Sequence, residues 1–201
     1  MFSKIIVALA LLAGASAFAP MASRPMRAAV LNADLAETLA TCQGPHICWG
    51  SEGGLEDPPI GENEIKGYDN FGKFVAAVES AGLTATLKGA GPFTVFAPTD
   101  AAFADFGGVP AGMTLADVLK YHVVSGKMST SDISGDLKTV QGNSLTYGRR
   151  FRKTFLDYAK VGIESEGASK GGNYPKDIEC SNGMIHAIDC IMVPGAYVNL
   201  A

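Results

Sequence analysis

A strand that has to stop and a helix that has to start are written into one stretch, Gly91-Pro92-Phe93-Thr94-Val95-Phe96-Ala97-Pro98-Thr99-Asp100-Ala101-Ala102-Phe103. Side chains alternate across a strand, so Phe93 and Val95 face one way and Thr94 and Phe96 the other. Pro98 has no N–H to offer a ladder and ends the pairing. Thr99 or Asp100 then supplies the side-chain oxygen that caps a helix. A chain built on this junction mixes α and β structure, and its 201 residues hold one domain of ordinary size with little left for a second.

Around that junction the apolar spacing predicts the remaining elements. Phe71, Phe74, Val75 and Val78 recur as one helix face, after Tyr68-Asp69-Asn70 and before a stop at Gly82. Leu83 and Leu87 predict a further short turn ending at Gly89, and Phe103 and Phe106 give the helix after Pro98 its buried side. Thr114 and Asp117 have the capping-box pattern with the shorter acid, ahead of a stripe of Leu115, Val118, Leu119 and His122. That stripe turns His122 toward the core, where histidine rings satisfy buried backbone groups. Val123-Val124 starts a strand, Ser129 to Ile133 reads as a turn of helix, and Leu137 to Val140 meets Ser144 to Tyr147 in a hairpin across Gln141-Gly142-Asn143. Ile178 to Ser181 turns at Asn182-Gly183, a strong hairpin signal, into an apolar run from Met184 to Val193. Both faces of that run are apolar, which predicts a central strand with His186 and Cys190 in the core.

The first residues have a different character. A lysine, an apolar run from Ile5 to Ala13 and the small residues Ala15-Ser16-Ala17 form a signal peptide too short to span a bilayer. Phe18 to Arg27 then carries arginines and no acid, which is transit-peptide composition. Asp34 to Cys42 predicts a short helix with Leu35 and Leu39 on one face and Asn32 or Asp34 as its cap. Cys42 to Gly50 reads as a tight loop holding the only tryptophan, Trp49, which either anchors a partner or packs on the domain beside it. Glycines, prolines and acids from Gly50 to Lys66 have linker composition.

Net charge is −4, so the whole molecule exerts no long-range attraction on nucleic acid. The one concentrated basic patch is Gly148-Arg149-Arg150-Phe151-Arg152-Lys153-Thr154-Phe155. Read as a single strand, it places Arg150, Arg152 and Thr154 on one face and Arg149, Phe151, Lys153 and Phe155 on the other. Such a face suits an anionic lipid or phosphate, or else guards an edge strand with cations. Cys42, Cys48, Cys180 and Cys190 permit three full pairings, and none has Cys-x-x-Cys spacing. With Asn182-Gly183 as the turn, Cys180 lies opposite Ile185, roughly 17 Å from Cys190 along the strand, which argues against that pair. No phosphate loop, nucleophile elbow or metalloprotease motif is present, and no cofactor or metal is implied. His186 and Asp189, three apart along a strand, point to opposite faces. An enzymatic reading needs a cleft converging on His122 or His186.

The opening stretch, Val118-Leu119-Lys120-Tyr121-His122-Val123-Val124 and Ser181-Asn182-Gly183-Met184-Ile185-His186-Ala187-Ile188-Asp189 together resemble, in order, three signatures of the fasciclin-like domain family. The resemblance implies an α+β fold, a mostly antiparallel wedge or sandwich with packed helices, and a non-catalytic role in protein binding and cell adhesion. It makes the Tyr121–His122 pair mainly structural, linked in some members to receptor binding. Three segments result: a leader over 1–30, an N-terminal extension and acidic linker over 31–65, and the domain over 66–196. The leader resembles the two-part presequence of algae with red secondary plastids, diatoms among them, which implies the plastid (chloroplast); a plain secretory signal is the alternative. The expected protein docks on a larger assembly such as a thylakoid photosynthetic complex. Peripheral membrane contact is part of that expectation, without a transmembrane helix in the mature chain. Its partner-binding candidates are Trp49, Tyr121, His122, Arg149, Arg150, Arg152 and Lys153. The longer interval 164–173 is a further departure from the family pattern.

Overall fold

The computed structural model of the chain describes residues 33–42, 44–48, 65–150, 153–162 and 175–196. The leader, the acidic stretch 50–64, Trp49, Arg152 and the polar interval 164–173 lie outside the described residues. In order, the elements are α1 (Leu35–Thr41), β1 (His46–Cys48), β2 (Ile65–Tyr68), α2 (Gly72–Ser80), α3 (Thr84–Leu87), β3 (Phe93–Pro98), α4 (Asp100–Ala104) and α5 (Leu115–Tyr121). The strands β4 (Val123–Ser125), β5 (Leu137–Lys138), β6 (Ser144–Leu145), β7 (Tyr147–Arg150), β8 (Lys153–Leu156), β9 (Ala159–Val161), β10 (Ile178–Cys180) and β11 (Gly183–Ile188) follow.

The principal sheet runs β4-β3-β11-β9-β8-β7, with β10 also paired to β11. Its pairs are antiparallel except β3–β11, which is parallel, with Phe93 beside Gly183 and Pro98 beside Ile188. This is the α+β class that the sequence predicts. A parallel pair needs cover on both faces, and β11 is buried along its whole length. On one face, Val95, Ala97, Ile185 and Ala187 join Leu35, Leu39, Phe71, Phe74, Val78 and Leu119 from the helices. Phe96 and Ile188 join Tyr121, Val124, Leu145, Leu156 and Met192 in a second cluster. Val95 and Phe96 face opposite ways, as the predicted alternation of β3 requires, and the strand thereby separates two core clusters.

Local chemistry fixes the helix starts. Thr99 caps α4 by accepting from the Ala102 N–H at 3.3 Å, while the Asp100 carboxylate takes the Lys73 N–H of α2 at 2.7 Å and Asp69 takes the Ala101 N–H of α4 at 2.9 Å. Asp34 caps α1, and Thr114 and Asp117 complete the capping box of α5.

Several expectations are corrected. His46–Cys48 is a strand paired with Ile65–Tyr68, so this part of the predicted loop and the end of the predicted linker form a ladder. Phe106 lies beyond the end of α4, and of that helix only Ala102 is fully buried. Residues 129–133 hold a hydrogen-bonded turn, from the Asp132 N–H to the Ser129 carbonyl, in place of a helical turn. The β5–β6 hairpin forms as predicted, although Tyr147 belongs to the next strand. In the last hairpin Cys180 pairs with Gly183 and Ile178 with Ile185. The turn is therefore Ser181-Asn182, one residue earlier than predicted, which carries Cys180 two positions further from Cys190. The strand ends at Ile188, and Cys190 beyond it is only half-buried.

Candidate functional site

α5 ends with Tyr121 buried and His122 as its C-cap, completely enclosed. The Met192 N–H can only donate, and it lies 3.0 Å from His122 Nε2. Nδ1 consequently carries the ring proton and donates to the Val118 carbonyl at 2.8 Å. Both ring nitrogens are spent on backbone groups 70 residues and four residues away. Burial holds the imidazole neutral and pulls its pKa down to about 4, against a smaller opposing pull from the Val118 carbonyl. The Tyr121 hydroxyl donates to the Asp157 carboxylate at 2.7 Å and lies 3.1 Å from the Ser144 carbonyl. The other Asp157 oxygen accepts the Thr146 N–H at 2.8 Å. Burial first, and the Asp157 carboxylate second, push the tyrosine pKa well up.

His186 is likewise enclosed. It stacks on Phe96 with centroids 5.5 Å apart, accepts the Asp177 N–H at Nδ1 (3.1 Å) and donates from Nε2 to the Met128 carbonyl (2.9 Å). Desolvation lowers its pKa. Neither histidine opens onto a cleft, which removes the enzymatic reading that depended on them. The helix-side groove of about 300 Å³ lies elsewhere, between α1, α2 and α3, lined by Leu39, Val75, Val78 and Leu87 with Asp34 and Lys88 at its margin.

The basic patch is two strands, not one. β7 ends at Arg150 and β8 begins at Lys153, with Arg150 opposite Lys153 and Arg149 opposite Thr154. Arg150 and Lys153 therefore share a face that a single strand would have split between them. Phe151 and Arg152 fall between the strands, outside the described residues. Arg149 and Arg150 are exposed and Lys153 is half-buried, on a hairpin whose β7 is the outer strand of the sheet.

Of the candidates, Tyr121 and His122 thus both face inward at the end of α5, each to its own partners, and Arg149, Arg150 and Lys153 gather at the sheet edge. Sequence reasoning missed Asp157 and Asn182. Asn182 accepts the Leu35 N–H at 2.9 Å and donates to the Leu87 and Gly89 carbonyls at 2.7 and 2.9 Å, tying α1 and α3 to the last hairpin. Its place beside glycine signalled a turn and nothing more. Among the described residues no helix is long and apolar enough to cross a membrane.

A mixed sheet with helices on one face, His122 and His186 locked in the core and cations on its rim defines a mixed α+β domain. The sequence model of the fasciclin domain matches residues 69–194, and the chain belongs to that family. It is 35% identical to Protein sll1483 of the cyanobacterium Synechocystis over 64% of this chain and 69% of that one. Similarity to the transforming growth factor-beta-induced protein ig-h3 of Sus scrofa is 33% identity over 69% of this chain, which spans a fifth (20%) of that longer protein. The cell surface glycolipoprotein MPB83 of Mycobacterium bovis is 33% identical over 57% of this chain and 49% of its own. A solved fasciclin domain pair from the insect cell adhesion molecule Fasciclin I overlays with a TM-score of 0.43 at 18% identity, covering 61% of this chain and 47% of that structure.

Proposed function

We propose that the protein is a non-catalytic interaction module, directed to the plastid, that docks onto a thylakoid photosynthetic assembly through its N-terminal extension or its basic hairpin. The observation that carries this reading is the division of labour among the polar side chains. Tyr121, His122 and His186 are consumed by internal hydrogen bonds, while Arg149 and Arg150 are offered to solvent on an edge hairpin. That arrangement suits binding without chemistry, in keeping with the family's character as an adhesion and interaction domain. The two-part leader supports the plastid, and relatives in a cyanobacterium agree with a photosynthetic setting.

A secreted, cell-surface adhesion protein is the second reading, favoured by the name of the mycobacterial relative, a cell surface glycolipoprotein. Fractionating the source cells, isolating intact plastids and locating the mature protein by native electrophoresis and mass spectrometry separates the two. Migration with a thylakoid complex supports docking and names the partner. Recovery in the medium or the wall fraction overturns the plastid reading in favour of adhesion.

A further inference from the structure

The N-terminal helix and the last hairpin meet at sulfur. At the start of α1, the Leu35 N–H donates to the Asn182 side chain and the Ser181 N–H to the Ala33 carbonyl, both at 2.9 Å. One turn further on, the Thr38 side chain lies against the Cys180 thiol. Thr38 is buried, and its hydroxyl makes no well-formed hydrogen bond, because what it faces is sulfur. Cys42, the extended C-cap of α1, follows Thr38 by four positions and still donates its backbone N–H to the Thr38 carbonyl at 2.7 Å, which keeps it one helical turn beyond Thr38 on the same side. Cys42 and Cys180 pack into the same apolar cluster, close enough that a charge on Cys180 is felt by Cys42.

We propose that Cys42 and Cys180 are a disulfide site that staples α1 to β10. A small-molecule or protein disulfide is the oxidant. One cysteine thiolate attacks it, giving a mixed disulfide and releasing one thiol. The other cysteine then attacks its partner's sulfur in the mixed disulfide and releases the second thiol. Two cysteine thiols become one disulfide, the oxidant's disulfide becomes two thiols, and the protons pass from the cysteines to the departing sulfurs. Cys190 is no competitor, because it lies past the far end of β11, a strand about 20 Å long at about 3.3 Å per residue. Burial pushes the Cys42 thiol up to about 12 and raises Cys180 as well, so in the folded protein both stay protonated. Exchange with the native state is slow for that reason, and the bond is set as the chain folds and then kept. It encloses nearly the whole fold in one loop, the situation in which a cross-link restricts the unfolded chain most.

The test is to refold the full chain from denaturant in reduced and oxidised glutathione, alkylate free thiols, digest without reduction and map the linked peptides by mass spectrometry. The expected result is a Cys42–Cys180 link with Cys48 and Cys190 alkylated. The melting temperature should fall by about 10 °C when reductant is added. That fall should vanish in Cys42→Ala, a half-buried position whose replacement leaves the core intact, and in Cys180→Ala. A Cys42–Cys48 link, or four alkylated cysteines in a chain that circular dichroism shows to be folded, overturns the proposal.

Discussion

His122 refuses a proton that the unfolded chain accepts. Its folded pKa of about 4 lies below the ordinary 6.5, so between those values the unfolded state binds more protons. The stability this histidine provides is complete above about pH 6.5 and is lost as pH falls through that window. Moving from pH 7 to pH 5 should therefore cost about 2 kcal/mol through this one side chain, at about 1.4 kcal/mol per pH unit below 6.5. His186, shifted in the same direction, adds to the loss. Urea midpoints at the two pH values measure it, and an unchanged midpoint would mean the ring is protonated in the fold. His122→Ala empties a core position and orphans the Met192 N–H, which should lower stability at pH 7 by about 3 kcal/mol and flatten the acid slope. Unchanged melting in that variant with loss of a partner would contradict the structural role. The inward turn of His122 was legible because its neighbours on the helix stripe are apolar. The partner of Tyr121 was not, since Asp157 stands 36 residues away and only the fold brings them together.

The pairing of β3 with β11 depends at the scale of elements on a missing side chain. A Cβ on Gly183 would stand 2.0 Å from the Phe93 carbonyl oxygen and 3.0 Å from a Leu35 methyl. Gly183→Ala should force the two central strands and α1 apart and cost about 3 kcal/mol or more, as overpacking against rigid backbone does. Gly82, with φ of +69° and nothing near its would-be Cβ, offers the control. Gly82→Ala should cost only about 1 kcal/mol, the strain of a left-handed residue. Equal losses in the two denaturation curves would show that strand approach is not what Gly183 serves. This contact also explains the misplaced turn. Asn182-Gly183 is a turn pair in local terms, yet Gly183 is recruited into the ladder to let β3 come close, and Asn182 is drawn off to hold Leu35, Leu87 and Gly89. Local propensity could report the hairpin but not which residues the neighbouring strand would claim. α5 was legible almost to its ends because spacing and capping box agree, whereas α2 was legible from its spacing and its stop at Gly82, its N-cap Phe71 making no side-chain cap. β1 has three residues and a partner 17 or more positions on, so no local pattern marked it.

For the molecule as a whole, the basic hairpin is a small positive region on a chain of net charge −4, and two explanations of it make different forecasts. As a docking surface it attracts an anionic membrane or complex at short range, with each cation contributing about 1 kcal/mol near an anionic leaflet. As a guard, it keeps β7, the outer strand, from pairing with other sheets. Replacing Arg149, Arg150, Arg152 and Lys153 together by glutamine should leave the denaturation midpoint nearly unchanged, because the described arginines are exposed and Lys153 is half-buried. Under the docking account, sedimentation with vesicles containing an anionic phospholipid should weaken by roughly 1000-fold, and the parent protein's binding should fall as salt is raised. Under the guarding account, binding is unaltered and the variant self-associates on concentration, visible in analytical ultracentrifugation. Salt-insensitive, unchanged membrane association without self-association removes both roles from the hairpin and leaves the N-terminal extension as the docking element.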